Sequence, residues 1–214
     1  MPTRKNADPA TWGVYLVTDR TQTNGRPLID VVESALHGGL RAVQLRERDL
    51  TTRALLALAE ALRTRTDRYG AALLINDRID VALACGADGV HLPADSFAIN
   101  EARALLGAQR VIGVSTHAPY EVAAAAAAGA DFVVFGPIYD TPSKRPYGKP
   151  LGVDALAAAR AAAALPLFAI GGIDAARARE VVGHGADGVA VIRAVLGADD
   201  PTRAASALVA AAAS

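Results

Sequence analysis

The chain has 214 residues, 52% of them apolar, with 22 basic and 22 acidic side chains and no net charge. Such an apolar fraction supplies a sizeable core and excludes a disordered chain. The even charge balance, without a basic stripe, excludes a nucleic-acid or anionic-membrane partner, and the length suits one domain or two small ones.

The first ten residues (MPTRKNADPA) are polar and lack the apolar centre of a secretory signal. Residues 1–11 therefore read as a flexible leader before a single domain over residues 12–214. A first apolar run, Gly13-Val14-Tyr15-Leu16-Val17, ends on Thr18-Asp19-Arg20 and precedes a helical stretch over residues 29–37. A second run, Val43-Gln44-Leu45, leads to Leu55, Leu56, Leu58, Ala59 and Leu62, whose 3.6-residue spacing marks a helix. Next come strand 72–75 and helix 77–85, strand 90–92 and helix 98–106, and strand 111–114 and helix 119–128. Strand 133–135 is separated from helix 153–164 by a long loop over residues 136–152. Strand 167–170, helix 175–183, strand 189–191 and helix 201–213 complete the chain. The longest charge-free apolar stretch, residues 161–173, is too short for a membrane span and contains Pro166 and two glycines. The single cysteine, Cys85, can form no internal disulfide, which suits a reducing, cytoplasmic setting.

Repetition decides the architecture. Gly-Ala-Asp-Gly-Val occurs at residues 86–90 and again at 185–189, with relatives at Gly129-Ala130-Asp131-Phe132-Val133 and, more loosely, Gly39-Leu40-Arg41-Ala42-Val43. The leading glycines stand 47, 43 and 56 residues apart. Each string reads as a glycine ending a helix, a short turn and a buried strand. A period near 45 residues needs a second strand in each interval, and each interval contains one. Strict alternation implies a parallel sheet, and eight units in a row imply an α/β fold: a closed (β/α)8 TIM barrel in a single domain. The rival, a doubly wound open sheet, lacks a Gly-x-Gly-x-x-Gly after its first strand. The 136–152 loop, rich in Gly, Pro, Ser and Lys, reads either as a substrate lid or binding loop or as a surface insertion.

Barrel enzymes of this class place their chemistry at the C-terminal ends of the strands. Here those ends carry Thr18-Asp19-Arg20, Gln44-x-Arg46-x-Arg48, Asn76-Asp77, His91 with Asp95-Ser96, Ser115-x-His117, Thr141-x-Ser143-Lys144, Gly171-Gly172 and Ile192-Arg193. Extended residues two apart share a face, so Gln44 and Arg46 are expected to point toward the barrel axis. A charge there needs a partner: an anionic ligand such as phosphate or pyrophosphate, or an internal salt bridge to Glu47 or another carboxylate. Either Asn76 or Asp77 could cap the next helix; Asn76 reads equally as cap or ligand, and the Asp77 carboxylate offers a hard oxygen donor for Mg²⁺. Ser115 and Thr116 share that ambiguity ahead of Pro119. His117 alone stands in a loop directly after a strand. His37 and His184 fall at helix ends, and His91, inside a strand, reads as a packed and satisfied histidine. Gly171-Gly172 can bring backbone N–H groups close to a phosphate, giving two anion centres in all.

This ordered set resembles the thiamin phosphate synthase family and its close relative, thiazole tautomerase. The resemblance rests on Val43-Gln44-Leu45-Arg46-Glu47, Ile75-Asn76-Asp77-Arg78, the string from Gly86 to Leu92, and Gly113-Val114-Ser115-Thr116-His117. Gly136-Pro137-Ile138, Thr141-Pro142-Ser143-Lys144 and Ala169-Ile170-Gly171-Gly172-Ile173 complete it. It implies that a hydroxymethylpyrimidine pyrophosphate loses pyrophosphate and the nitrogen of a thiazole phosphate captures the pyrimidine carbon. Gln44, Arg46, Arg48, Asn76, Ser115 and Lys144 would hold the pyrimidine pyrophosphate, with Lys144, Ser115 and His117 the candidate catalytic groups. Thr141, Ser143, Gly171, Gly172, Ile192 and Arg193 would receive the thiazole phosphate, and Asp77 would hold Mg²⁺. Three positions depart from the synthase pattern. Arg48 stands for a lysine, Arg193 for a serine, and Ser96 for the second metal carboxylate, with Asp95 one place early. Arg48 and Leu92-Pro93-x-x-Ser96-Phe97 are more like the tautomerase, which isomerises a carboxythiazole phosphate without metal and would use His117 as acid and base. A non-catalytic thiazole or thiamin phosphate-binding regulator is the third reading. The Ala-rich helix faces permit a homodimer without requiring one.

Overall fold

A computed structural model describes residues 7–141 and 149–213. Eight strands, β1 (Val14–Val17), β2 (Ala42–Leu45), β3 (Ala72–Asn76), β4 (Gly89–Leu92), β5 (Val111–Thr116), β6 (Phe132–Phe135), β7 (Leu167–Ile170) and β8 (Gly188–Val191), pair in chain order into a closed barrel. Every pairing is parallel, and β8 returns to β1 through Tyr15 beside Ala190. The helices among the described residues are α1 (Leu28–His37), α2 (Thr52–Tyr69), α3 (Ile79–Ala84), α4 (Ile99–Leu106), α5 (Pro119–Ala127), α6 (Ala155–Ala162), α7 (Ala175–Gly183), α8 (Arg193–Leu196) and α9 (Pro201–Ala212). The expected (β/α)8 barrel is the observed one. Ahead of β1, Pro9–Thr11 form a 3-10 turn capped by Asp8, Pro9 is buried, and Trp12 packs into the barrel interior.

Alternate strand residues face opposite ways and build two cores. One lies between sheet and helices. The other fills the barrel with Trp12, Tyr15, Phe132 and Phe168 among small residues such as Ala42, Ala72 and Ala190. Large rings fit because neighbouring positions lack side chains: a Cβ on Gly113 would stand 2.1 Å from Phe132 Cζ, and one on Gly188 2.8 Å from Phe168 Cε1.

The repeated string now has a physical account. Gly39, Gly86, Gly129 and Gly185 adopt positive φ after α1, α3, α5 and α7. The next N–H in each case reaches back five residues, from Leu40 to Ala35, Ala87 to Ala82, Ala130 to Ala125 and Ala186 to Val181, at 2.9–3.3 Å. This is the Schellman cap, and glycine is favoured because the left-handed conformation costs it no Cβ clash. The aspartate two residues later clasps the neighbouring strand. Asp88, Asp131 and Asp187 accept the N–H of Leu73, Ile112 and Leu167 at 2.8, 2.7 and 2.8 Å, and donate their own N–H to the carbonyls of those same residues. An arginine from α2, α4 or α6 closes each clasp: Arg63 on Asp88, Arg103 on Asp131 and Arg160 on Asp187. The first copy has Arg41 instead, which donates to the Leu36 and Leu40 carbonyls at the end of α1.

Candidate active site

At the C-terminal mouth the inward positions turn polar. Gln44 is 2% exposed, and its Nε2 donates to Tyr15 Oη at 3.0 Å; burial pushes the Tyr15 phenol well above its ordinary range, opposed by that hydrogen bond. Tyr15 is a site residue that the sequence reading passed over, although its inward alternation with Val17 was the available signal.

Arg46 continues the inward face of β2, half-buried. Glu47 does not pair with it. The Glu47 carboxylate is consumed by Thr18 Oγ1 at 2.8 Å, the Arg20 N–H at 3.1 Å and Arg20 Nη1 at 3.0 Å, while Thr18 Oγ1 in turn accepts the Arg46 N–H at 2.9 Å. Arg20 also grips Asp49 in a two-point contact at 2.5 and 2.6 Å. This network holds the backbone that carries Arg46 and Arg48 and leaves both guanidinium groups without a hydrogen bond or ion pair among the described residues. The Arg46 pKa is held below its ordinary value by burial first and by the like charge of Arg48 second. A bound anion reverses the second effect and compensates the first.

Neither Asn76 nor Asp77 caps a helix. Helix α3 begins at Ile79, two residues later than the sequence suggests, and Arg78 at its cap makes no side-chain capping bond. Asp77 takes φ +64°, the left-handed region that Asp tolerates better than most side chains. Its N–H donates to the His91 carbonyl at 2.9 Å, and its carboxylate accepts a short hydrogen bond from Ser96 Oγ. Asn76, Asp77, Arg48 and Asp95 line one cavity of about 260 Å³. Asp95 therefore faces the same space as Asp77.

Ser115 is no cap either, since α5 is preceded by Ala118. Its Oγ lies 2.9 Å from His91 Nε2. His91 is 3% exposed, its Nδ1 has no partner, and burial, followed by the charge of Arg46, lowers its pKa to about 3, so the ring is neutral. The expectation of a satisfied histidine thus holds for one nitrogen and fails for the other. His117 is exposed; its Nδ1 contacts the Gly136 carbonyl at 2.5 Å and its N–H donates to Glu121 at 2.6 Å.

On the far side, three strands round the closed sheet from β2, Gly171 and Gly172 take φ +105° and +67°. Pro137 would meet a Cβ at Gly171 at 2.8 Å, because Ile138 and Tyr139 donate their N–H groups to the Ile170 and Gly171 carbonyls and hold residues 137–139 alongside. The amide N–H groups of Gly171 and Gly172 form no hydrogen bond among the described residues. Just after β8, Ile192 caps α8 and is half-buried, and Arg193, the first residue of α8, is exposed. Arg26 steadies that corner by donating to the Leu196 and Ala198 carbonyls at 2.9 and 2.8 Å. Thr141 Oγ1 is buried without a partner. Ser143 and Lys144 lie outside the described residues.

Among the described residues only Arg63 Nε, His91 Nδ1 and Thr141 Oγ1 are buried polar side-chain atoms without a partner; Thr141 belongs to the predicted site, and His91 touches it through Ser115. With that geometry in place, the sequence pattern of thiamine monophosphate synthase matches residues 14–195. The chain belongs to the thiamine monophosphate synthase family. A relative from Geobacter sulfurreducens is 55% identical over 199 residues, 93% of each chain. The thiamine-phosphate synthase of Roseiflexus castenholzii is 46% identical over 195 residues, 91% of this chain and 86% of that protein. Thiamine phosphate pyrophosphorylase from Pyrococcus furiosus superposes with a TM-score of 0.88 at 34% identity, over 96% of this chain and 97% of that one. Membership accounts for the polar mouth on a barrel whose strand bodies are apolar. No helix among the described residues is long and apolar enough to cross a membrane.

Proposed function

We propose that the mouth joins two phosphorylated heterocycles, as a thiamin phosphate synthase does. The C–O bond of a hydroxymethylpyrimidine pyrophosphate breaks, its electron pair leaves with pyrophosphate, and the ring nitrogen of a thiazole phosphate supplies the pair for the new C–N bond; a carboxythiazole phosphate also loses its carboxyl group as CO₂, and the pair left on the ring carbon takes up a proton. The observation that carries this reading is the pair of guanidinium groups, Arg46 half-buried and Arg48 lining the cavity, neither with a carboxylate partner among the described residues. Such a cation pair, already in place, stabilises the charge that develops on a departing pyrophosphate. Gln44, fixed by Tyr15, and Asn76 orient the pyrimidine, and Ser115 donates to its pyrophosphate. The Gly171 and Gly172 amides, with Thr141 Oγ1, Ile192 and Arg193, receive the thiazole phosphate across the mouth and hold its ring nitrogen toward the pyrimidine carbon. Lys144 and Ser143, outside the described residues, are assigned by the family resemblance to the pyrophosphate and the thiazole phosphate respectively.

The oxygen donors Asp77 and Asp95 on one cavity, with Ser96 bonded to Asp77, fit Mg²⁺. Among the described residues no three His, Cys, Asp or Glu side chains cluster as a complete cage. That suits an ion that takes many of its ligands from phosphate and water. When bound, Mg²⁺ supplies charge neutralisation to the leaving pyrophosphate. We assign the protein to the cytoplasm, in keeping with its single cysteine.

Incubating the purified chain with both substrates is expected to give thiamin phosphate and pyrophosphate in equal amounts, abolished by a chelator and restored by Mg²⁺. Asp77→Ala is expected to lower the rate by about 100-fold. No product at any Mg²⁺ concentration overturns the reading. Metal-independent isomerisation of a carboxythiazole phosphate, lost in His117→Ala, replaces it with the tautomerase.

A further inference from the structure

His91 stands one strand from Ser115 in the barrel lining, and Asn76 lies beside it on β3. Its ring lies between aromatic neighbours, 5.9 Å from the centroids of both Tyr15 and Phe132, and is closed off from solvent. Nε2 meets Ser115 Oγ at 2.9 Å, while Nδ1 is buried and meets nothing. The half-buried Ser115 hydroxyl has no other partner among the described residues.

A neutral imidazole carries one N–H, and the two tautomers leave different groups stranded. With the proton on Nδ1, a buried donor is orphaned and the Ser115 hydroxyl must spend its proton on Nε2. With the proton on Nε2, only a lone pair is orphaned, and buried donors without partners are the rarer arrangement. In the second case Ser115 Oγ accepts from the ring, so its own proton is directed elsewhere, toward the mouth.

We propose that His91 is a positioning residue: by donating from Nε2–H to Ser115 Oγ, it presents the Ser115 hydroxyl as a hydrogen-bond donor to an anionic diphosphate oxygen. The opposite tautomer presents only lone pairs to that anion, which repel it. The inference rests on the proposed function for the identity of the anion, and on the geometry alone for the direction of the bond.

Two measurements test it. In the full chain labelled with ¹⁵N-histidine, long-range ¹H–¹⁵N spectra, with the His91 signals assigned by their loss in His91→Gln, are expected to show Nε2 protonated and Nδ1 bare. An Nδ1–H ring overturns the inference whatever the enzyme does. The second measurement is a mutant cycle read by calorimetric binding of inorganic pyrophosphate in the presence of Mg²⁺, and by kcat and KM. His91→Phe is expected to weaken binding and lower kcat/KM by about 10-fold, whereas His91→Gln, which retains an N–H near the Nε2 position, stays within about 3-fold of the parent. In a Ser115→Ala background, His91→Phe is expected to cost less than about 2-fold, because the hydroxyl it directs is gone. Additive losses, or equal losses in the Phe and Gln variants, reduce His91 to packing and overturn the inference. If His91→Phe does not fold, the spectra and the Gln variant still decide. A parent chain that shows the coupling in pyrophosphate binding but makes no thiamin phosphate sinks the functional reading and leaves this one standing.

Discussion

At the N-terminal end of the barrel, three arginines meet three aspartates, and each aspartate also clasps the backbone of the adjacent strand. At the C-terminal end, Arg46 and Arg48 have no ion pair among the described residues, and Arg48 lines a cavity, although the Glu47 carboxylate is adjacent in sequence to both. The two ends draw on the same residue types. They differ in whether a charge is satisfied within the chain or left for a ligand. Satisfied pairs lock adjacent βα units together. Unsatisfied cations destabilise the free protein slightly, and a bound anion reverses that cost through binding linkage. The Arg20–Glu47–Asp49 cluster is the bridge between these behaviours, because its closed network holds the segment that presents the open charges.

Substitutions at the two ends should separate stability from turnover. Asp88→Ala strands the Leu73 N–H and takes one partner from the nearly buried Arg63, which keeps Asp67 at 2.7 Å, and is expected to cost about 2–4 kcal/mol in urea unfolding, with kcat of the folded fraction unchanged. Asp131 and Asp187, with side chains 39% and 42% exposed, are expected to cost less, about 1–3 kcal/mol each. Loss of turnover without loss of stability at any of the three would break the contrast. Arg46→Ala is expected to do the reverse. It should lower kcat/KM by about 100-fold, leave the unfolding midpoint unchanged or slightly raised, and remove the thermal stabilisation that pyrophosphate confers on the parent chain.

A third substitution probes the interior between the two ends. Gly113→Ala drives a methyl group into Phe132 and is expected to cost about 1–3 kcal/mol, part of which returns when Phe132→Leu is added. The smallest expected effect is on pH dependence. Because the folded His91 pKa is about 3, below its ordinary value of 6.5, the unfolded chain binds a proton there that the folded chain refuses. Stability should therefore fall as pH drops below about 6.5, by about 1 kcal/mol over the first pH unit, relative to His91→Gln measured in parallel. Equal pH profiles would show that His91 titrates normally in the fold.

Much of the fold was legible before any coordinates, because its signals are local. A glycine that ends a helix, followed by a buried run, marks four of the eight strands, the period demands three more, and the apolar run ahead of Gly39 supplies the eighth. The mouth was partly legible for the same reason: residues after each strand fall at one end once the barrel is granted. Long-range partners were not. Nothing in the neighbourhood of Glu47 tells that it bonds Thr18 and Arg20 rather than Arg46. Asp77 resembles the first residue of a helix until its left-handed backbone is seen, and His91 resembles a satisfied core histidine until its second nitrogen is found without a partner. The three aspartates were visible as a repeat, yet their clasp on the neighbouring strand emerges only from the pairing.

The sequence by itself determined the alternation of elements, the closed barrel it implies and the end at which polar residues collect, since periodicity, capping and turn chemistry act over a few residues. Tertiary structure alone decided which charges cancel and which stay open, because pairing depends on groups that meet across 15 to 29 positions of chain. Arg46 and Arg48 stay open because the carboxylate between them in the chain, Glu47, is taken by Thr18 and Arg20.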